Sequence, residues 1–327
     1  RNKFSDIFHC PCNIHIFLNF LSKVELFWTT TILSSIINKV KPFDKMKTFT
    51  RKSSRLSEEI RMGATQDTLL YTIEKSIKKK EDLFEHSFSA YAVRSMLASL
   101  YLGLGIVISL YTADKLNHVA EGLGKFSYGL MFGWGLLMIL YMNAELGTSN
   151  MMYMTVAIHR KTIPTKTALK MLATCILFNF IGAVLVCYMV SLTLPYQHVD
   201  AHSYLFEATV TKLEKTPLTQ FIEGIFANIV VNIGVFTFLR IKDDAGRLIS
   251  VIFIIFIFAF LGYEHVIANF SLFSLAFFSN GGPVEGMNLL SVLSNFLFSG
   301  LGNYVGGGLF IGLLYSWLNN QSKLYVD

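Results

Sequence analysis

Long apolar runs alternate with short charged segments along most of the chain. A helix needs about 20 consecutive apolar residues to cross the hydrocarbon core of a bilayer. Uncharged or almost uncharged runs that reach or approach this length lie at 95–113, 126–144, 171–194, 216–239, 248–263 and 288–321. The pattern therefore predicts an all-α membrane protein with six transmembrane helices.

Polar residues interrupt the second and the fifth of these runs. The second continues into Asn143-Ala-Glu-Leu-Gly-Thr-Ser-Asn150 before the sequence becomes apolar again, and the fifth continues into Gly262-Tyr-Glu-His-Val-Ile-Ala-Asn269. At membrane depth the backbone can leave helical geometry only where it lines a cavity or is buried in protein. We therefore predict that the second and fifth helices are broken at these places.

The interruptions fall at corresponding places in two halves of three helices each. In each half, the apolar run that follows the interrupted one carries the same short motif, Asn-x-x-Gly. The motif begins at Asn179 in the first half and at Asn303 in the second. Because three is an odd number of crossings, the second half must be inverted relative to the first. Inverted repeats with interrupted helices are typical of transporters whose substrate path lies near the bilayer midplane.

Composition and charge exclude a soluble globular protein. Hydrophobic types make up 53% of the residues and charged types 15%, whereas an average soluble domain has about 25% charged residues. The net charge of +6 comes from basic residues between the apolar runs, so topology and anionic lipid explain it before nucleic acid does. Residues 159–170 carry Lys and Arg but no acid. The positive-inside rule then predicts a multi-pass protein of the cell membrane with both termini in the cytoplasm.

The segment before the first run differs in composition from the rest. Residues 1–45 are rich in Phe, Ile, Asn and Lys, and Met46 opens a basic, Ser-containing stretch. Two interpretations of 1–45 stay open, namely translated upstream sequence and an interfacial helix over 13–38. The predicted organisation is a disordered or non-native extension (1–65), a cytoplasmic surface helix (66–89), a six-span channel domain (90–320) and a cytoplasmic tail (321–327).

Motifs of enzyme chemistry are missing from the sequence. It contains no HExxH, Gly-x-Ser-x-Gly, Cys-x-x-Cys or phosphate-binding glycine loop with Lys-Ser/Thr, which are the patterns that most often mark hydrolases, redox sites and nucleotide sites. Cys175 and Cys187 lie about 18 Å apart along one helix, beyond the reach of a disulfide. We therefore expect no enzymatic activity, no metal and no cofactor.

His265 is the only histidine inside an uncharged run. An ionisable group at membrane depth is costly and is a functional candidate by default. The hydroxyl of Thr148 and the amide of Asn303 are candidates to fix the tautomer of its ring. Glu145 and Glu264 stand at equivalent places beside the two interruptions, and we predict that they cap the following half-helices rather than transfer protons.

Four motifs resemble the formate/nitrite transporter family. They are Ala144-Glu-Leu-Gly-Thr-Ser149, Gly224-Ile-Phe-Ala-Asn-Ile-Val-Val231, Tyr263-Glu-His-Val-Ile-Ala-Asn269 and Leu301-Gly-Asn-Tyr-Val-Gly-Gly307. The resemblance covers about residues 78–318, and four motifs in the family's order make it specific. It implies a homopentamer of aquaporin-like protomers, each with its own pore for formate, nitrite, hydrosulfide or a small monocarboxylate such as lactate.

The resemblance also implies which side chains form the pore. The substrate pore would contain His265, Thr148, Asn303, Asn228 and Lys212, and the constriction would contain Phe132, Leu136, Leu146, Gly147 and Phe258. Lys215 competes with Lys212 for the place of a vestibule lysine, because loop alignments slip easily. At Gly147 the sequence departs from the aromatic residue or Ile that is usual in the family, and we expect this glycine to widen the constriction.

Passage of a small carboxylate poses a chemical problem. With a pKa of roughly 3 to 4 it is ionised at pH 7, and an apolar collar obstructs a charged solute. The anion could take a proton, from His265 or through water, and cross as the neutral acid. Alternatively, the N-termini of the half-helices could stabilise the bare anion.

Formate is the expected substrate, and a water or neutral-solute channel is the alternative of another class. The paired Asn-Pro-Ala loops of aquaporins are missing from the sequence, which disfavours that alternative. The expected partners are a formate-like anion, protons, membrane lipid and further copies of the chain, but no nucleic acid.

Overall fold

The computed structural model describes residues 68–321, and these form helices joined by short loops. The helices are α1 (Leu69–His86), α2 (Phe88–Asn117), α3 (Leu123–Tyr141), α4 (Gly147–His159), α5 (Thr165–Ser191), α6 (Leu194–Gln197), α7 (Tyr204–Glu214), α8 (Pro217–Arg240), α9 (Asp244–Leu261), α10 (Val266–Ser279) and α11 (Leu289–Leu318). Six of them, α2, α3, α5, α8, α9 and α11, are long and apolar enough to cross a membrane. This confirms the predicted all-α fold with six spans. The predicted extension 1–65 and nearly all of the predicted tail, 322–327, lie outside the described residues.

The second and fifth spans are broken, as predicted. α3 is followed by the half-helix α4, and α9 by the half-helix α10. At both breaks one residue adopts a left-handed backbone conformation, Asn143 with φ 51° and Gly262 with φ 74°. Glycine and asparagine adopt this conformation at the lowest cost. Asn143 and Gly262 stand at the same place relative to their break, which is what an internal repeat requires.

The two Asn-x-x-Gly motifs bring the third helix of each half onto the first. A Cβ atom at Gly182 would collide with the backbone of Met96 in α2, and one at Gly306 with the backbone of Ile225 in α8. Glycine at these positions therefore allows the helix backbones to touch. In the second half the helix then continues as a π-helical stretch, Tyr304–Leu313.

Helix α1 lies within the segment 66–89 for which a surface helix is predicted, and one of its faces is buried. Thr68 caps it by accepting a hydrogen bond from the backbone N–H of Tyr71 at 3.2 Å. Leu69, Ile73 and Ile77 are buried, and the helix packs against α2, α4 and α8. This packing places the second half of α1 beside the break between α3 and α4.

Candidate functional site

His265 lies at the break of the fifth span and is almost fully buried. Its Nδ1 accepts a hydrogen bond from the backbone N–H of Ala268 at 3.1 Å. An accepting Nδ1 leaves the proton of a neutral ring on Nε2, and Nε2 lies 2.8 Å from Oγ1 of Thr148 in α4. The ring therefore donates to the Thr148 hydroxyl, which keeps its own proton to donate to another acceptor.

Asn303 does not contact the imidazole, so that part of the predicted tautomer control was wrong. Its Oδ1 accepts a hydrogen bond from the backbone N–H of Val266 at 2.8 Å. Its Nδ2 donates to the carbonyl oxygens of Gly224 at 2.8 Å and Glu264 at 2.9 Å. Asn303 thus fixes the backbone on both sides of His265 rather than the ring itself.

Asn179 holds the other break in the same way. Its Oδ1 accepts from the N–H of Gly147 at 2.7 Å. Its Nδ2 donates to the carbonyl oxygens of Ser95 at 2.6 Å and Glu145 at 2.9 Å. Asn179 was not among the predicted site residues, although the repeated Asn-x-x-Gly motif was a signal for this role.

Asn228 links the two breaks. Its Nδ2 lies 3.1 Å from the carbonyl oxygen of Thr148 and 2.7 Å from that of Asn303. The side chain is fully buried and lines neither of the cavities described below. Asn228 therefore supports the residues around His265, and its place on the pore wall stays a prediction.

Glu264 does not cap α10, contrary to the prediction. His265 occupies the capping position, and the buried Glu264 carboxylate instead accepts hydrogen bonds from four side chains. These are Lys212 at 2.9 Å, Lys215 at 2.7 Å, Asn269 at 2.6 Å and Asn295 at 3.1 Å. Such charge-assisted hydrogen bonds offset the cost of burying the carboxylate, so Glu264 anchors the two lysines.

Glu145 forms the equivalent arrangement in the first half and likewise caps no helix. Its carboxylate accepts from Lys80 at 2.6 Å and from Asn150 at 2.8 Å. Lys80 was not among the predicted site residues. The clue was available, because Lys80 and Lys212 both lie in the helix that precedes the first span of their half.

A small cavity of about 20 Å³ lies beside His265, which is room for about one water molecule. We call it the His265 cavity, and Phe132, Phe258 and Lys212 line it together with the histidine. The rings of Phe132 and Phe258 meet edge to face with their centroids 5.3 Å apart. Lys212 belongs to α7, outside the six spans, and burial lowers the pKa of its ammonium group while the Glu264 carboxylate opposes that shift.

A larger cavity of about 480 Å³ lies beside the break at Glu145. We call it the Lys80 cavity. Three basic residues line it, Lys79, Lys80 and Arg94. The lining also includes Glu145, together with Leu146 and Ser149 at the start of α4. Leu146 stands where His265 stands in the second half, so this cavity has a cation and a carboxylate but no imidazole.

Leu136 lies between the two cavities. Along α3 it is midway between Phe132, which lines the His265 cavity, and Leu140, which lines the Lys80 cavity. Phe132 and Leu140 are about 12 Å apart at 1.5 Å per residue. Leu136 is buried and lines neither cavity, so it stays a predicted constriction residue.

Gly147 does not stand at the pore, contrary to the prediction that it widens the constriction. A Cβ atom at this position would lie 3.0 Å from Oδ1 of Asn179 and 3.0 Å from Cγ1 of Ile176, both in α5. Gly147 also lines neither cavity. The missing side chain therefore makes room for α5.

Comparison with known proteins gives relatives over most of the chain. The uncharacterized transporter YwcJ of Bacillus subtilis is 28% identical over 250 residues, which cover 76% of this chain and 97% of that protein. The formate-nitrite transporter of Plasmodium falciparum is 29% identical over 233 residues, which cover 67% of this chain and 74% of that protein.

Solved structures share the fold. An ion channel of the FNT family superposes with a TM-score of 0.70 at 24% identity, covering 76% of this chain and 98% of the other. A pentameric formate channel with formate bound superposes with a TM-score of 0.61 at 19% identity, covering 73% of this chain and 99% of the other.

The family model described as "Formate/nitrite transporter" matches residues 67–317. That range contains both breaks, both lysine–carboxylate pairs and the six spans up to Trp317. Proteins of this kind carry solutes across membranes and are not enzymes. The chain therefore belongs to the formate/nitrite transporter family.

Proposed function

We propose that the chain forms a membrane pore for small monovalent anions and their weak acids, with formate as the substrate. The observation that carries the proposal is the pair of lysine–glutamate contacts, Lys80–Glu145 and Lys212–Glu264. Lys80 lines one cavity and Lys212 the other. Cations at both ends of an apolar path raise the local concentration of anions there. The buried pair of His265 and Thr148 stands between them.

The hydrogen bonds of His265 favour a role as a neutral donor rather than as an acid. An imidazolium ring would direct an Nδ1–H at the backbone N–H of Ala268, so that two donors would face each other. The neutral ring satisfies both contacts at once. Its Nε2–H occupies the Thr148 oxygen, and the Thr148 proton can then be offered to a carboxylate. The proton that neutralises the anion would come through water beside Lys212.

Formate is proposed over nitrite, hydrosulfide and lactate on two grounds. One similar structure is a formate channel with formate bound. The His265 cavity is also small, about 20 Å³, which disfavours lactate, the largest of these solutes.

Proteoliposomes test this proposal. We expect uptake of labelled formate that nitrite inhibits by competition and lactate inhibits weakly, with osmotic water flux no faster than in empty liposomes. Fast water flux without formate uptake would instead identify a water channel. Stronger competition by lactate or hydrosulfide would reassign the substrate within the family.

We also propose that the chain is a homopentamer of the cell membrane with both termini in the cytoplasm. The support is the likeness to a pentameric channel and the basic loop at 159–170, which the positive-inside rule assigns to the cytoplasm. Native mass spectrometry of the purified protein should give a mass of five chains. Labelling of single cysteines introduced into that loop should succeed only in inverted vesicles.

A further inference from the structure

The two half-helices begin differently, although their breaks are otherwise equivalent. In α10 the Nδ1 of His265 caps the helix by accepting from the N–H of Ala268. Leu146 stands at the same place before α4, and no side chain among residues 68–321 caps that helix. The N–H of Ser149, which corresponds to that of Ala268, therefore has no side-chain acceptor.

The hydroxyl of Ser149 is a second, independent irregularity at the same place. Ser149 is only 6% exposed, and its Oγ has no hydrogen-bond partner among residues 68–321. A buried polar group without a partner is costly, so such a group calls for an explanation. Ser149 lines the Lys80 cavity, whose volume of about 480 Å³ accommodates a small solute beside this residue.

The surroundings of Ser149 are rich in positive charge. Lys80 is paired with Glu145, but Lys79 and Arg94, which line the same cavity, contact no carboxylate in the part of the chain that the structure describes. The start of a helix adds a partial positive charge and outward-pointing N–H groups. An anion with oxygen acceptors complements all of these groups.

We propose that a small monocarboxylate binds at the start of α4, with one oxygen accepting from Ser149 Oγ and the other facing the first-turn N–H groups beside Lys80. This inference rests on the proposed function and adds to it a second anion site, at the far end of the path from His265. In this arrangement Ser149 and an uncapped helix provide in the first half the hydrogen-bond donors that the His265–Thr148 pair provides in the second.

Sided flux measurements test the site. Formate flux is measured in proteoliposomes of sorted orientation, with formate added from one side at a time. Ser149→Ala should raise the half-saturating formate concentration on the Lys80 side about tenfold, the loss expected for one hydrogen bond to a charged group. On the His265 side the change should stay below about twofold. Ser149→Thr keeps the hydroxyl and should behave like the unmodified protein.

Ser271→Ala is the matched control. Ser271 is also buried, and its Oγ also has no hydrogen-bond partner among the described residues, but it lines neither cavity. This substitution should leave the half-saturating concentration unchanged on both sides. An equal effect of Ser149→Ala and Ser271→Ala would overturn the proposal.

Binding of formate to the purified protein, followed by saturation-transfer NMR, gives a readout that does not depend on flux. The formate signal should weaken in Ser149→Ala and not in Ser149→Thr. If the unmodified protein carries no formate but shows Ser149-dependent binding, the proposed function fails and the site stands. If it carries formate and Ser149→Ala alters neither flux nor binding, the site fails and the proposed function stands.

Discussion

Single buried asparagines make the breaks in the spans possible. The end of a helix leaves N–H and C=O groups without partners, and these are expensive to bury away from water. An asparagine side chain supplies one acceptor and two donors, which is the set that Asn179 and Asn303 use, each on three backbone groups. At each break, one side-chain amide thus satisfies three backbone groups.

Asn303→Ala should therefore destabilise the protein strongly. It leaves the N–H of Val266 and the carbonyl oxygens of Gly224 and Glu264 without their partner. We expect a loss of about 3 kcal/mol in the free energy of unfolding, given about 1–3 kcal/mol for each buried group left unsatisfied and some relaxation. The loss should appear as a lower melting temperature in size-exclusion chromatography of heated detergent samples. Asn280→Ala, in an exposed turn, is the control, and equal melting of the two variants would refute the assignment.

The hydrogen bonds of His265 lead to a prediction about pH. If the ring stays neutral, formate flux between pH 5 and 8 should fall about tenfold per pH unit, as the fraction of neutral acid does, without an inflection near 6.5, where a free histidine titrates. His265→Asn keeps a polar cap and should keep this slope at a lower rate. His265→Phe should lower flux at every pH. An inflection near pH 6.5 that disappears in His265→Asn would show that the ring titrates during transport.

At the scale of helices, sequence and structure agree where the information is local. Runs of apolar residues and their polar interruptions are written along the chain, so the six spans and both breaks were predictable. The repeat made Lys80 and Lys212 candidates for equivalent roles, but their contacts with Glu145 and Glu264 depend on which face of α1 or α7 meets the break. For the same reason it was not predictable that a side chain at position 147 would meet α5, because the residues that pack against a glycine are distant in the sequence.

The close contact between α8 and α11 should be sensitive to one methyl group. A Cβ atom at Gly306 would collide with the backbone of Ile225, and backbone atoms cannot move aside as a flexible side chain can. Gly306→Ala should therefore separate the two helices and cost about 1–3 kcal/mol, the range for overpacking. Gly282→Ala is a suitable control, because nothing lies within 4 Å of the added atom. Identical melting temperatures for both variants would contradict this account of the packing.

At the scale of the whole molecule, an approximate symmetry carries different chemistry at its two ends. Lys80–Glu145–Asn150 and Lys212–Glu264–Asn269 are equivalent, yet one break has Leu146 where the other has His265. The sequence motifs displayed this difference, but only the folded chain shows that each lysine reaches a cavity of its own. The lysines should therefore act on opposite sides of the membrane.

Substitutions of Lys80 and Lys212 test whether the two lysines act on opposite sides of the membrane. Lys212→Ala should raise the half-saturating formate concentration about tenfold when formate is added on the His265 side, because Lys212 lines that cavity and a cation near the mouth of a pore concentrates anions. Lys80→Ala should do the same on the Lys80 side only.

Lys215→Ala separates attraction of the anion from support of Glu264. Lys215 binds the same carboxylate oxygen as Lys212 but does not line the His265 cavity; it also binds Glu223 and the carbonyl oxygen of Gly262. Its removal leaves Glu264 with one cation and should change the half-saturating concentration less than about threefold, while lowering the melting temperature. A larger effect on affinity from Lys215→Ala than from Lys212→Ala would mean that Lys215 is the residue that meets the incoming anion.

Equal effects of Lys80→Ala from both sides would show that the two cavities do not act separately.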